Sequence, residues 1–545
     1  MYQSHLTRRS LRSFTRWMES RNIRLSDGLN IVKGEKCGIV CDELGVTAAC
    51  DLQEGEVIAI IPKDACLTLR TTGAANLLND AQLSGGLGLV VALMYERSRG
   101  EASPWFPYLN LLPLCHKALP IVWESDEIHN FLLGTELHSV ILEDRKLIEE
   151  DWRECIWPLT QEYPTEFPEE HFSLEHYFSA KTLVSSRSFE VDDYHGYGMV
   201  PVADLFNHKT NNEDVHVMDE PNLCIIDESV STSDRHPVEE ESNYLGCSFI
   251  DNLTNAQHHS CSTIKERNDQ CRNEVLEIVL VRDVPMGSEI FNTYGELSNA
   301  SLLHRHGFTE PDNPFDIVNI DYVLVMQYCT SFFSKCHVRN RIRFWRKYGC
   351  APLTSQASEY FEIEASGKPQ PELLFLLYIM HLPEKDVLAA EVALHELDTA
   401  VKADCAMNWE MKAWKTFFDF PANHLKRARC NRYTWSKSEG EIDSCIMFFF
   451  TSNVCESLIW LSEKRDQAYG QATLEEDLKL LEDARQRDNE KLFHALYLRV
   501  SERSILRRLC HHSFEELKKN RSQKRDDCLL HQKDAYTRKN MPREY

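Results

Sequence analysis

The chain has 545 residues, 43% of them hydrophobic and 10% aromatic, which is typical of a globular protein with a large core and two or more domains. Its formal net charge is −25, from 85 acidic and 60 basic side chains. Such a charge discourages binding to nucleic-acid phosphates and is consistent with a basic protein partner, although a solvated surface explains it equally well. No apolar run approaches the roughly 20 residues that cross a bilayer, so no membrane span is predicted.

Nineteen cysteines, without a CxxC pair or a secretory leader, indicate reduced thiols and an intracellular protein of the nucleus, the cytoplasm or both. The first 26 residues are rich in Arg and Ser, as organelle transit peptides are, so a chloroplast location stays open. However, Leu11, Phe14, Trp17 and Met18 have helical spacing. That spacing favours the first amphipathic helix of the fold.

Short strands are predicted between Gly34 and Pro62 and again between Val275 and Ile290, with a helical insert at about 80–180 between them. The two strand regions share a turn, Asp-apolar-x-x-Gly, which begins at Asp51 and recurs at Asp283. Glycine there permits a tight turn between strands. We therefore expect one mixed β domain over residues 1–310, interrupted by helices.

Residues 211–273 are predicted to form a polar surface insertion. Up to Asn243 this segment carries ten acidic side chains against the single Arg235. Its later part contains histidines and cysteines that fit no standard zinc spacing, so no metal site is predicted: His258, His259, Cys261 and Cys271.

Beyond residue 310 the chain is predicted to form a second, helical domain over 311–545. The apolar run Leu373–Met380 predicts a buried helix, and leucine stripes recur up to Cys510. We expect the basic tail, Lys518–Glu544, to be frayed.

Several catalytic motifs are missing from the sequence. It has no GxGxxG after a strand, no P-loop, no HExxH and no GxSxG. These absences count against nucleotide-binding and hydrolase folds.

Five motifs occur instead in a fixed order: GEKCGIV (34–40), SSRSF (185–189), ADLFNH (203–208), EIFNTYG (289–295) and LLHRHGF (302–308). Together they resemble the SET domain, in the branch of the Rubisco large-subunit lysine methyltransferase and related ribosomal and nuclear lysine methyltransferases, the plant members especially. The resemblance implies an α+β fold. Its parts are a SET-domain mixed β core with a helical insert and an all-α C-terminal substrate-binding domain.

The same resemblance implies S-adenosylmethionine as the cofactor. It assigns cofactor contacts to Glu35, Lys36 and Cys37 in the first motif and to Asn207 and His208 in the third. Tyr294 matches the tyrosine beside the transferring methyl group, where a phenol can hydrogen-bond the incoming amine. The amine must be neutral, which an apolar channel near a positive sulfonium favours.

On the substrate side the resemblance points to Ser186, Arg187, Asp204 and His306. An ion pair between Arg187 and Asp204 is a nearly equal alternative. Trp105 and Tyr108 are candidates for the wall of the substrate groove, and packing is at least as good an explanation for both.

The chain departs from the family pattern in the lysine channel. Val191 stands where the Rubisco-type enzyme has Arg, Val217 replaces a pocket tyrosine, and His306 stands where the family often has Tyr. These changes bear on the substrate and the degree of methylation more than on the cofactor.

The favoured function is methylation of a lysine in a protein substrate by a monomeric enzyme that binds neither nucleic acid nor membrane. Two alternatives stay open. One is histidine methylation, against which the apolar Phe189 beside Arg187 counts mildly. The other is a silent SET scaffold that binds proteins without turnover.

Overall fold

A computed structural model describes residues 8–36, 39–219, 274–348, 360–401 and 449–539. These residues form two compact units. The first consists of the described residues within 1–132, 136–313 and 484–495, and the second of those within 133–135, 314–483 and 496–545.

The strands of the first unit are β1 (Arg24–Leu25), β2 (Leu29–Lys36), β3 (Ile39–Ala48), β4 (Val57–Pro62), β5 (Leu67–Thr68), β6 (Ser188–Asp192), β7 (Gly196–Met199), β8 (Asn207–His208), β9 (Val215–Met218), β10 (Val275–Leu280) and β11 (Phe291–Asn292). Six of them form a sheet in the order β1-β4-β10-β9-β11-β8. Smaller sheets are β5-β7-β6 and the hairpin β2-β3. Strands predicted from the two ends of residues 1–310 thus meet in one sheet, where β4 pairs antiparallel with β10.

The two Asp-apolar-x-x-Gly turns bind each other. Leu52 and Val284 form an antiparallel bridge. Asp51 accepts a hydrogen bond from the Met286 amide (2.8 Å), and Asp283 accepts one from the Glu54 amide (2.9 Å). The two turn glycines have φ of 83° and 87°, which only glycine adopts without strain. The turn pattern that occurs twice in the sequence therefore forms two turns that hydrogen-bond to each other.

The helices of the first unit pack around these sheets. The N-terminal one buries Phe14, Trp17 and Met18, and the Trp17 indole donates to the Pro104 carbonyl at 2.7 Å. The amphipathic helix expected at the N-terminus is thus part of this unit. The helices are α1 (Arg8–Ser20), α2 (Ala75–Asp80), α3 (Gly85–Ser98), α4 (Phe106–Leu109), α5 (Ser125–Leu132), α6 (Leu137–Asp151), α7 (Trp157–Glu162), α8 (Leu174–Arg187) and α9 (Asn299–His306).

The second unit is mainly helical, with one antiparallel pair of strands that joins Ile317 to Glu364 and Asp321 to Tyr360. The helix predicted from the apolar run is present, and residues 373–380 are all buried in the core of this unit. The elements are β12 (Ile317–Asp321), α10 (Tyr322–Phe332), α11 (Lys335–Tyr348), β13 (Tyr360–Glu364), α12 (Pro371–His381), α13 (Glu384–Val401), α14 (Ser452–Asp466), α15 (Leu474–Gln486) and the long α16 (Glu490–Lys539). The end of α15 from residue 484 and the start of α16 up to residue 495 belong to the first unit.

The prediction of a frayed tail is wrong for residues 518–539, because α16 continues to Lys539, and the rest of the predicted tail lies outside the described residues. The tail contains no glycine, and its proline, Pro542, lies beyond the helix, so nothing breaks the helix before Lys539. Ion pairs one turn apart also support it, at 2.7 Å between Lys518 and Glu515 and 2.6 Å between Lys519 and Glu516.

No helix in the described ranges is long and apolar enough to cross a membrane. Most of the predicted polar insertion, residues 220–273, lies outside the described residues, and so do its four histidines and cysteines considered for metal binding.

Candidate active site

Two parallel strands bring the Asn-His pair beside the predicted catalytic tyrosine. Strand β8 is the pair itself, and β11 runs parallel to it, with Phe291 opposite Asn207 and Asn292 opposite His208. Tyr294 follows β11 by two residues. Residues more than 80 positions apart in the chain therefore share one sheet edge.

Tyr294 is fixed by both its backbone and its side chain. Its backbone N–H donates to Nδ1 of His208 at 2.9 Å, and its phenol donates to the carbonyl oxygen of Phe206 at 3.2 Å. The rings of Tyr294 and His208 stack, with centroids 5.0 Å apart and an angle of 25° between their planes. His306 lies on Tyr294 as well, at 4.4 Å between centroids. The phenol is thereby held against the segment that carries the Asn-His pair.

His208 is held in its neutral form. Burial lowers the pKa of its imidazole, against the opposing effects of Glu310 and Glu213. Because Nδ1 accepts from the Tyr294 amide, the ring proton resides on Nε2, which is 3.0 Å from Oγ1 of Thr210 and 3.6 Å from Glu310. A second proton, on Nδ1, would abolish the bond from Tyr294. The position of the tyrosine is thus coupled to a neutral imidazole.

Asn207 is buried and donates from its amide to Glu289 at 2.6 Å. The next residue, Ile290, donates its N–H to the carbonyl of Val46 in β3 at 2.8 Å. Strand β3 pairs with β2, whose last residues include Glu35 and Lys36. The backbone of the first motif therefore continues the same hydrogen-bonded assembly, while Cys37 lies outside the described residues.

The Asp204 side chain is fully buried next to this assembly, beside buried Tyr108 and the partly buried Arg187. Its Oδ2 accepts from the phenol of Tyr108 at 2.8 Å, and its carbonyl accepts from Arg187, whose guanidinium is 4.0 Å from the carboxylate. Its Oδ1 has no hydrogen-bond partner among the described residues. Burial raises the pKa of Asp204 to about 6, although Arg187 and the Tyr108 bond act in the opposite direction.

The backbone before this cluster is strained. Val202 has φ 77° and ψ −48°, close to the rare classic γ-turn, which is costly for a β-branched residue. The 3-10 turn Ala203–Leu205 follows directly and sets the course of the chain from Asp204 to His208. Strain of this kind, on the order of 1–3 kcal/mol, persists only where surrounding contacts impose it.

The remaining predicted residues are placed less centrally. Ser186 donates its hydroxyl to Thr182 within its own helix, α8, at 2.9 Å. Trp105 and Tyr108 are both buried, with 3% and 1% of their surfaces exposed, and both bond to protein atoms, so packing describes them and a groove wall does not. Val191 is also buried, where the apolar side chain suits its surroundings.

Four contributors were missed in the sequence: the carboxylates of Glu289 and Glu310, the hydroxyl of Thr210 and the carbonyl of Phe206. Glu289 lies inside the motif EIFNTYG and Phe206 inside ADLFNH, so the sequence could have indicated both as site residues. Glu310 bonds the amide and hydroxyl of Thr210 from 100 positions away. Nothing in its local sequence marks it among 85 acidic residues.

Similarity searches place the chain beside lysine methyltransferases. It is 28% identical over 359 residues to ribosomal lysine N-methyltransferase 3 of Saccharomyces cerevisiae, covering 56% of this chain and 63% of the relative. It is 27% identical over 307 residues to N-lysine methyltransferase setd6 of Danio rerio, covering 55% and 57%. The chain thus spans less than two thirds of the length of these relatives. No family model matches it.

Two solved structures share the fold over nearly the whole chain. One is the SET domain of LSMT bound to lysine and AdoHcy, with a TM-score of 0.56 at 17% identity over 93% of this chain and 91% of that one. The other is Rubisco LSMT bound to AdoMet, with a TM-score of 0.55 at 17% identity over 94% and 93%.

The fold is therefore that of a SET-domain protein, with a mixed β core and a helical C-terminal region. In sequence the chain is similar to lysine methyltransferases and in fold to Rubisco LSMT, so the resemblance drawn from the five motifs is confirmed.

Proposed function

We propose that this chain transfers a methyl group from S-adenosylmethionine to the side chain of a lysine in a protein substrate. The observation that carries the proposal is the fixation of Tyr294 by His208 and by the Phe206 carbonyl, at the point where β8 and β11 meet. The names of the relatives and the ligands of the two LSMT structures support the same reaction.

The donor set suits a sulfonium cofactor. The groups around Asn207, His208 and Tyr294 are a neutral imidazole, the Phe206 carbonyl, a phenol, the Glu289 carboxylate bonded to Asn207 and the Glu310 carboxylate near His208. Carbonyl and carboxylate oxygens favour a positive sulfonium. We assign cofactor binding to Asn207, His208 and Tyr294, together with Glu35, Lys36 and Cys37 of the first motif. When bound, the cofactor supplies the electrophilic methyl group.

The residues of the chain act by alignment. Because the phenol of Tyr294 is held by the Phe206 carbonyl and its ring by His208, the tyrosine presents a rigid polar group to an incoming amine, which must meet the methyl carbon in line. We assign substrate contacts to Ser186, Arg187, Asp204 and His306. Of these, His306 is in direct contact with the Tyr294 ring, and Asp204 has a buried oxygen open to a donor.

For the rest of the chain we propose a SET domain at residues 1–310 and a substrate-binding helical domain at 311–545. The protein would act inside the cell as a monomer on a basic, lysine-containing segment. Its net charge of −25 favours such a partner over nucleic acid.

The test uses purified full-length chain, labelled S-adenosylmethionine and an extract of its source organism, with Tyr294→Phe as the variant. We expect label on protein lysine and at least a tenfold loss of label in Tyr294→Phe, as removal of a positioned polar group commonly causes. Tyr194→Phe, which changes a 45% exposed tyrosine of the same unit, is the matched control and should retain full activity.

The alternatives give different results in the same experiment. Label on histidine would replace lysine as the acceptor. Cofactor binding by calorimetry without any transfer of label would identify a silent scaffold and would overturn the proposed reaction.

A further inference from the structure

Helices α10 and α11 of the second unit border a groove of about 640 Å³. Its apolar lining includes Met326 from α10 and Val338 and Ile342 from α11. Val338 and Ile342 belong to the core of this unit, with 4% and 8% of their surfaces exposed, whereas Met326 is half-buried. The groove thus has an apolar floor supported by the core.

One rim of the groove is a stripe of cations, Lys335, Arg339 and Arg343. They are spaced four residues apart, so they lie on one face of α11 over roughly 12 Å. All three are exposed, and within the described part of the chain none of them forms an ion pair. We call these three residues the basic stripe.

The segment around the stripe carries no compensating charge. From Tyr322 to Tyr348 there is no Asp or Glu, although the chain as a whole has a net charge of −25. Arg341, in the same helix, differs from the stripe because it has a structural role. It is 1% exposed, donates to the Leu382 carbonyl at 2.9 Å and pairs with Glu384 at 3.1 Å. Among the residues that the structure describes, the exposed cations of the stripe form no such ion pair.

We propose that this groove binds an acidic, amphipathic peptide segment of a partner protein. The carboxylates of the peptide would face the basic stripe, while its apolar side chains would pack mainly on half-buried Met326, as in other helix-in-groove complexes. A phosphate backbone would use the stripe but not the apolar side chain of Met326. The acidic segment is a different partner from the basic, lysine-containing substrate proposed above, so the inference does not rest on methyl transfer.

The test measures fluorescence anisotropy of a labelled 15-residue helical peptide with Glu at every fourth position and Leu beside each, titrated with the full-length chain. The groove variant is Lys335→Glu with Arg339→Glu and Arg343→Glu. The matched control, Lys479→Glu with Arg485→Glu and Arg487→Glu, changes three other exposed cations and alters the net charge equally. A second groove variant, Met326→Ser, leaves all charges in place.

We expect saturable binding to the native chain. Affinity should fall at least about tenfold in the triple groove variant, from the combined loss of ion pairs and gain of like-charge repulsion, and by about threefold or more in Met326→Ser. The control triple should bind within about twofold of the native chain, since its charges lie outside the groove. The labelled peptide with Lys in place of every Glu should bind at least about tenfold more weakly than the acidic one.

Four results would overturn the inference. They are no saturable binding to the native chain, equal losses in the groove and control triples, unchanged affinity in Met326→Ser, and tighter binding of a labelled uridine 15-mer than of the peptide. Circular dichroism of each variant establishes that it is folded before its affinity is compared. Methyl transfer is not part of the readout, so a failure here leaves the proposed reaction untouched.

Discussion

At the scale of single residues, Asp204 is a buried carboxylate whose two oxygens differ in hydrogen bonding. Tyr108 donates to one oxygen, Arg187 stands 4.0 Å away, and the other oxygen has no partner among the described residues. Desolvation therefore outweighs the attraction of Arg187, and the pKa rises from 3.8 to about 6. The folded state therefore favours the protonated form of Asp204 more strongly than the unfolded chain does.

This preference predicts how stability changes with pH. Because the pKa of Asp204 is higher in the folded state, its contribution to the free energy of unfolding is fully present below pH 3.8 and is lost as the pH rises through about 6. The loss amounts to about 3 kcal/mol at most. Asp204→Asn keeps the size and an acceptor for Tyr108 but cannot titrate. Urea unfolding of both proteins between pH 4 and 7 should show the variant gaining relative stability across this range, and parallel curves would refute the assignment.

At the scale of elements, the paired turns at Asp51 and Asp283 hold the two halves of the first unit's strands together. Each aspartate accepts from a backbone amide of the opposite turn, and the Leu52–Val284 bridge lies between them. The contacts are reciprocal, and both carboxylates are exposed. Their contribution to the free energy of unfolding is therefore that of charge-assisted hydrogen bonds that are weakened by exposure to water.

Asp51→Ala leaves the Met286 amide without this acceptor and should lower the free energy of unfolding by about 1 kcal/mol. Asp51→Asn retains a side-chain oxygen and should cost less than half as much. Chemical denaturation of the two variants beside the native chain measures the difference. If Ala and Asn are equally stable, the hydrogen bond does not contribute.

At the scale of the whole molecule, the two compact units have separate cores. In the second unit α12 is buried on all sides, and Leu377 has no exposed surface. In the first unit Leu302, equally buried, packs in a small cluster with Leu297 and Phe308, against which Tyr294 also packs. A cavity in either core should destabilise the unit that contains it.

Leu377→Ala and Leu302→Ala are matched truncations, each expected to cost about 2–5 kcal/mol of stability. Only Leu302→Ala should weaken S-adenosylmethionine binding, because it alone loosens the packing of Tyr294. Thermal unfolding and calorimetric titration, performed below the unfolding range of both variants, separate the two effects. Equal losses of cofactor affinity would contradict separate cores.

The wrong prediction for the tail shows where pattern reasoning fails. A run of charged residues after Lys518 reads as a solvated end, but helix continuation depends on breakers and one-turn ion pairs more than on hydrophobicity. The prediction of a buried helix at Leu373–Met380 is confirmed because it rests on hydrophobicity: a continuous apolar run is stable only when buried.

Through the resemblance carried by its ordered motifs, the sequence by itself indicated the SET-type fold and the candidate residues Asn207, His208 and Tyr294, because each motif is a short contiguous segment. It also indicated the two turns, since glycine and aspartate at fixed offsets have a local cause. Only the tertiary structure decided that the turns bind each other, that Tyr108 belongs to Asp204, and that Glu310 and Glu289 serve the Asn-His pair. Such partners are separated by 80 to 100 residues or more and are chosen by strand pairing, which no local pattern encodes.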